Sequence, residues 1–190
     1  MNIWKHFKTI THNKILVAKG CFKVGLYKQG LLHDMSKYSP TEFWVGAKYY
    51  QGTRSPNNAE REDIGYSSAW LHHKGRNKHH YEYWIDYSMQ ALPGGMAPVP
   101  MPDKYIAEMI MDRIAASKVY MGGEYTDRSP LDYYYQGTDR APIHPETKAK
   151  LLYVLEMLAE EGEEKTFRFI KEELVQHKRC MDWHQLEKAE

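Results

Sequence analysis

The chain has 190 residues, 26 Lys and Arg against 25 Asp and Glu, and a net charge of +1. So balanced a charge argues against electrostatic capture of nucleic acid or an anionic membrane, and a hydrophobic content of 42% with 27% charged residues is that of an ordinary globular chain. No apolar run reaches the ~18 residues of a membrane span, and Met1-Asn2-Ile3-Trp4-Lys5-His6-Phe7 has no signal-peptide core, so a single cytoplasmic domain with one hydrophobic core is expected. Cys21 and Cys180 lie far apart in sequence and form no CxxC, which reads as two free thiols.

Helical periodicity dominates the chain, and no internal repeat or strand-like alternation stands out, so the expected fold is an all-α bundle. Thr9 reads as the cap of a first helix carrying Ile15, Leu16, Val17, Phe22 and Val24. A short helix over Tyr27–Leu32 leads into His33-Asp34. Ser39, Pro40 and Glu42 then give the start signal of a third, with Ser39 as cap and Glu42 as its capping-box partner, running to about Tyr50. Gly52–Glu62 reads as a polar loop, and Ile64 to about Asn77 and His79–Leu92 as helices. Residues 96–102 form a stiff extended connection built on Pro98, Pro100 and Pro102. Asp103 caps a helix that Gly122-Gly123 ends. Residues 124–142 read as irregular, and Pro145 opens two last helices, 146–160 and 164–177, followed by a charged, frayed tail.

Against this background the histidines are the informative residues. In chain order the candidates are His12, the pair His33-Asp34, the run His72-His73-Lys74-Gly75-Arg76-Asn77-Lys78-His79-His80, and Asp112. Neutral imidazole and carboxylate are the usual ligands of Zn, Fe, Mn, Co and Ni, so His12, His33, Asp34 and Asp112 form a candidate cage drawn from separate helices. Adjacent residues on a helix point about 100° apart, so His33 and Asp34 can share an ion only where a helix ends. A bend at Gly75 would let His73 and one of His79 and His80 converge on a second ion, and two metals clamp a phosphoryl group and activate water. Lys37 and Arg76 are the candidate cations for the phosphate oxygens. The competing reading of 72–80 is a solvated basic loop, with His72 as packing beside Trp70 and Leu71 and Arg76 as a surface arginine. Tyr133-Tyr134-Tyr135 reads equally as a pocket wall or as packing, Ser36 and Ser39 as turn and cap residues, and His6, His144, His177 and His184 as surface histidines.

The order His12, then Leu31-Leu32-His33-Asp34-Met35-Ser36-Lys37, then the histidine run, then Asp112 in Ile110-Met111-Asp112-Arg113-Ile114-Ala115-Ala116, resembles the HD superfamily of metal-dependent phosphohydrolases over about residues 10–122. The pattern Ala69-Trp70-Leu71-His72-His73, Asn77-Lys78-His79-His80, Tyr83-Trp84 is similar to a bacterial and phage branch of it. The resemblance implies a compact helical domain with residues 145–178 packed on its core. It also implies one or two divalent ions (Mn, Fe, Co, Ni, Zn or Mg) on His12, His33, Asp34, His73, His79, His80 and Asp112. Asp34 would bridge the two ions, and Lys37 and Arg76 would assist hydrolysis of a small phosphorylated substrate, nucleotides included. No GYP motif follows the double histidine (Tyr81-Glu82-Tyr83-Trp84 stands there), so hydrolysis of cyclic dinucleotides is not expected. Two other functions fit the same cage: a di-iron enzyme that activates dioxygen, and a regulatory module that binds a metal or nucleotide without turnover.

Overall fold

In the computed structural model of the chain, residues 2–89, 93–137, 141–178 and 183 are described. The first helix, α1 (Ile3–Val24), buries His6, Ile10, Asn13, Val17, Gly20 and Val24, residues alternately four and three apart that form one stripe, with Cys21 beside it. It begins at Ile3, well before the expected Thr9, whose hydroxyl instead hydrogen-bonds the phenol of Tyr50 at 2.9 Å. α2 (Tyr27–Leu32) is the expected short helix, and α3 (Pro40–Lys48) starts at the expected proline. Ser39 makes no cap bond to α3, and Glu42 is not a capping partner, because its carboxylate points to histidines of a later helix.

Three further expectations are corrected. The supposed loop 52–62 gives way at Pro56 to α4 (Pro56–Ile64), which packs through Ala59 and through the buried Glu60, whose carboxylate accepts hydrogen bonds from Ser67 and Ser68. The expected 64–77 helix is the shorter α5 (Ser68–Lys74), because Gly65 ends α4 and Gly75 ends α5. After His80 the chain makes a 3-10 turn, Tyr81–Trp84, and a strand, β1 (Ile85–Tyr87), where a helix was expected. β1 pairs antiparallel with β2 (Met96–Pro98), Ile85 opposite Pro98 and Tyr87 opposite Met96. Residues 90–92 of the expected helix lie outside the described residues, as do Cys180, His184 and, apart from Trp183, the tail from 179 onward.

The central helix α6 (Asp103–Met121) buries Ile106 through Met111 without interruption, together with Ile114 and Ala115. A helix buried over six consecutive residues, and hence on every side, belongs inside a bundle. Asp103 is its first residue rather than its cap, and accepts a hydrogen bond from Lys150 Nζ at 2.7 Å. α7 (Ser129–Tyr135) lies in the stretch expected to be irregular. α8 (Pro145–Phe169) is broken at Gly162, whose φ of 79° and ψ of 172° suit only glycine, and this reproduces the two-helix expectation. A final turn, Ile170–Val175, closes back on α6.

The fold is mostly α, 73% helical with a small two-stranded sheet. Val17, Cys21 and Val24 of α1, Ile106 and Ile110 of α6, and Leu151, Val154, Leu155 and Leu158 of α8 form one buried cluster with Tyr134, Ile170 and Leu174. Each such aliphatic side chain contributes about 1.5–3 kcal/mol by burial. The α1–α6 contact is close at Gly20, where a Cβ would lie 2.6 Å from Met111 Sδ. That approach places Asn13 of α1 opposite Asp112 of α6, at one end of the cluster. Among the described residues, no helix is long and apolar enough to cross a membrane.

Candidate metal centre

The turn after α2 builds the middle of the centre. His33 is extended (φ −50°, ψ 128°), and Asp34 takes the left-handed conformation, φ 52° and ψ 28°. A non-glycine residue there costs about 1–2 kcal/mol, and the reversal turns both neighbouring side chains inward. Lys14 of α1 pins this turn, donating from Nζ to the carbonyls of Leu31 (2.8 Å) and His33 (2.7 Å). The 3-10 turn Met35–Tyr38 that follows puts Lys37 Nζ 2.6 Å from Asp34 Oδ2.

α5 and the bend after it supply the histidine run. Its first turn is held by Ser67, whose Oγ accepts from Trp70 N at 3.0 Å. The buried Glu60 carboxylate behind it accepts from the hydroxyls of Ser67 and Ser68, both at 2.6 Å. His73 ends this helix on its buried side. Asn77 then donates to the His73 carbonyl (2.8 Å) and to Ser36 Oγ (2.7 Å), fixing the bend that returns His79 and His80 to His73. α6 contributes Glu108 and Asp112, four apart and therefore on one face.

These side chains converge. His73 Nε2 and His80 Nε2 are 2.9 Å apart. Asp34 Oδ1 lies 3.3 Å from His73 Nε2 and 3.4 Å from His79 Nε2, while Asp34 Oδ2 lies 3.3 Å from His33 Nε2. Asp112 completes the group, Oδ1 at 3.5 Å from His33 Nε2 and Oδ2 at 3.8 Å from His79 Nε2. Ligands held about 2.1 Å from one ion are themselves about 3.0–3.4 Å apart, in octahedral or tetrahedral arrangement. The spacings observed are therefore close to the edges of a coordination shell. His33 Nε2, His79 Nε2 and Asp34 Oδ1 are buried and make no hydrogen bond. An orphaned buried donor set of this kind fits a cation. Asp34, His73, His79 and His80 form one group that could hold a metal ion and His33, Asp34 and Asp112 another, all of them buried except the half-buried His80 and Asp112.

Two further carboxylates orient the imidazoles from behind. Glu108 Oε1 accepts from Nδ1 of both His33 (2.9 Å) and His79 (3.2 Å). Glu42 accepts from Nδ1 of His73 (2.7 Å) and of His72 (2.6 Å). A proton fixed on Nδ1 leaves Nε2 as the free lone pair, the arrangement common to metal-ligating histidines. The charges follow suit. Burial alone would raise the Asp34 carboxyl, but His33, Lys37 and His73 outweigh it and hold it well below the usual carboxylate range. Burial disfavours the His33 cation, yet Asp34, Asp112 and Glu108 raise it well above the ordinary imidazole. His80, buried beside His79 and His73, is held neutral. In the absence of an ion, protons on imidazole thus balance the carboxylates.

The structure brings together His33, Asp34, His73, His79, His80, Asp112 and Lys37. It does not bring in His12, which is exposed. The buried stripe of α1 passes through position 13 instead, one residue and about 100° away. Asn13 occupies that place, with its amide nitrogen 3.5 Å from Asp112 Oδ1. Arg76 is exposed and donates to the His72 carbonyl at 3.2 Å. His6, expected at the surface, is 5% exposed and packs against Gly46, Phe43 and Tyr50. His72 does more than pack, since it shares Glu42 with His73. Tyr134 is core, and Tyr133 lines an open pocket of about 260 Å³ with Tyr81, Gln136 and Gly137. Glu42 and Glu108 were not anticipated. The i, i+4 pairing of Glu108 with Asp112 is the one sequence signal that could have found the latter.

The chain belongs to the family of unknown function DUF5662, which matches residues 2–157 and so spans every residue of this centre. No curated protein and no solved structure matches the chain.

Proposed function

We propose that this member of the DUF5662 family is a metal-dependent phosphohydrolase, cleaving the P–O bond of a small phosphate ester with water. The observation that carries the reading is the convergence of four imidazoles and two carboxylates at one buried point, with the Lys37 ammonium 2.6 Å from the central carboxylate. From His33 to Asp112 the order of those residues is that of the HD phosphohydrolases the sequence resembles, while the first histidine of that pattern, His12, stays outside the group.

A divalent ion held there supplies Lewis acidity and lowers the pKa of water. Everything else falls to the chain. His73, His79, His80 and Asp34 form one ligand group, His33, Asp34 and Asp112 another, and Asp34 faces both through its two oxygens. Glu42 and Glu108 keep the imidazoles oriented, so that the site needs no reorganisation on substrate binding. Lys37 has a 29% exposed side chain, whose ammonium end lies against the buried Asp34 carboxylate. Its ammonium, kept charged against burial by Asp34 and Asp112, attracts and orients a phosphate oxygen.

The test is metal analysis of the purified protein, followed by a phosphatase panel of phosphomonoesters and diesters with Mn, Co, Ni, Zn, Fe and Mg. Bound metal with ester hydrolysis that disappears in Asp34→Ala supports the reading. Bound iron with oxidation and no hydrolysis, or bound metal with no turnover of any ester, would overturn it.

A further inference from the structure

Asn13 is the residue that the metal centre leaves unexplained. It is 7% exposed, and its Oδ1 is buried without a hydrogen bond, while its amide nitrogen donates weakly to Asp112 Oδ1 at 3.5 Å. Burying an amide oxygen without a partner costs about 1–3 kcal/mol. An apolar side chain on the stripe of α1, such as Ile10 or Val17, carries no such penalty. The amide therefore has a partner still to meet.

We infer that Asn13 is a ligand-side residue of the centre, and that the centre offers two cation positions of different kinds. One is nitrogen-rich: His73, His79 and His80 with Asp34. The other is oxygen-rich: Asp34, Asp112 and the amide oxygen of Asn13, with His33 as its one imidazole. The inference rests on the reading of this cluster as a metal centre and adds what each position selects.

The chemistry of the donors makes the difference. Imidazole suits Zn, Fe, Co and Ni, whereas carboxylate and amide carbonyl suit Mg and Mn. Three imidazoles with one carboxylate oxygen favour the first group, and three oxygens with one imidazole favour the second. Asn13 fits the oxygen-rich position because an amide presents a donor at one end and an acceptor at the other. In the cation-free chain its amino group faces Asp112, the better partner for a carboxylate. A cation beside Asp112 reverses that preference, and a half-turn about the side chain's last bond presents Oδ1 instead. His12, one position earlier and exposed, cannot take this role.

The experiment uses the full chain stripped of metal, titrated calorimetrically first with Zn and then, once loaded, with Mn, the bound Mn being counted by its electron spin resonance. One tight Zn step followed by one Mn step about 100-fold weaker is expected. Asn13→Ala weakens the Mn step about tenfold or more and leaves the Zn step unchanged, and Asn13→Asp restores it. His80→Ala does the reverse, weakening Zn and sparing Mn. The unchanged Zn step in Asn13→Ala doubles as the check that the variant is folded. Two equivalent Mn ions, a Zn step that falls as far as the Mn step in Asn13→Ala, or a Mn step that Asn13→Ala leaves intact would overturn this inference alone. Wild-type protein that takes up neither ion would instead overturn the metal-centre reading beneath it.

Discussion

Glu108 Oε1 lies 2.9 Å from Nδ1 of His33, and the same oxygen lies 3.2 Å from Nδ1 of His79. A single carboxylate oxygen thus sets the tautomer and ring angle of two imidazoles. Its removal costs orientation and basicity at both. Glu108→Ala is expected to weaken metal binding by about 100-fold, and Glu108→Gln, which keeps the acceptor and loses the charge, by about tenfold. Isothermal titration of the stripped variants measures this. Unchanged affinity in Glu108→Ala would mean that the carboxylate only fills space.

An ion that binds the folded chain and not the unfolded one stabilises it by mass action. At a free concentration about 100 times the dissociation constant, the gain is about 2.7 kcal/mol. For a chain of this length that corresponds to a melting temperature roughly 5–10 °C higher. Thermal melts with metal and with excess chelator should therefore separate by that amount. In Asp34→Ala, whose carboxylate faces both ligand groups, the two curves should coincide.

Lys37 and Arg76 carry the same charge in the sequence and have different surroundings in the fold. Lys37 pairs with Asp34 at 2.6 Å, whereas Arg76 is exposed and bonded to the His72 carbonyl. Lys37→Met is expected to lower kcat/KM for a phosphate ester on the order of 100-fold while bound metal is retained. Arg76→Ala should leave kcat/KM within about twofold, as surface substitutions do. Steady-state kinetics with metal analysis decide it, and equal losses in both variants would refute the assignment.

The sequence was most legible where local signals agreed with burial. Pro40, Pro145 and Gly122 punctuate helices α3, α8 and α6 as their chemistry dictates, and the positions of His33-Asp34 at a helix end and of His73 before a bend followed from the same logic. Four things were not legible. α4 has a loop-like composition, and its packing through Ala59 and Glu60 is tertiary. The strands Ile85–Tyr87 and Met96–Pro98 are too short for alternation to show. The choice between His12 and Asn13 is one of helix phase: a stripe alternating four and three residues shifts by 100° per position, and only the packing of α1 on α6 selects the face. Glu42 reads in the sequence as the capping-box partner of Ser39, and in the fold its carboxylate meets histidines instead. Nothing in the neighbouring sequence announces that His72 and His73, some thirty residues on, are its partners.

His6 gives a pH dependence separate from the metal centre. Burial, with a smaller contribution from Lys37, pushes its imidazole down from 6.5 to about 4. Between those values the unfolded chain takes up a proton that the folded chain refuses. The stability due to neutral His6 is thus complete above pH 6.5 and is lost as the pH falls toward 4, by roughly 3 kcal/mol in all. Denaturant unfolding of the wild type and His6→Asn at pH 7 and pH 4 isolates this contribution, because the other titrating groups are common to both. The stability advantage of the wild type should shrink by that amount at the lower pH, and a difference independent of pH would show that His6 is solvated.

Lys14 links the first helix to the geometry of Asp34. The left-handed backbone at Asp34 costs about 1–2 kcal/mol, and it persists because the surroundings overdetermine it. Two charge-assisted bonds from Lys14 Nζ, to the carbonyls at Leu31 and His33, hold the last turn of α2 against the strained residue. They also place a cation at the negative end of that short helix. Lys14→Met keeps the aliphatic stem and removes both bonds. Relaxation of the turn would swing the Asp34 carboxylate away from both ligand groups at once, so Zn and Mn affinity should fall together, by about tenfold or more. Lys14→Arg, which can still donate to both carbonyls, should retain most of the binding. A Lys14→Met protein that is less stable but binds both ions normally would reduce Lys14 to a packing role.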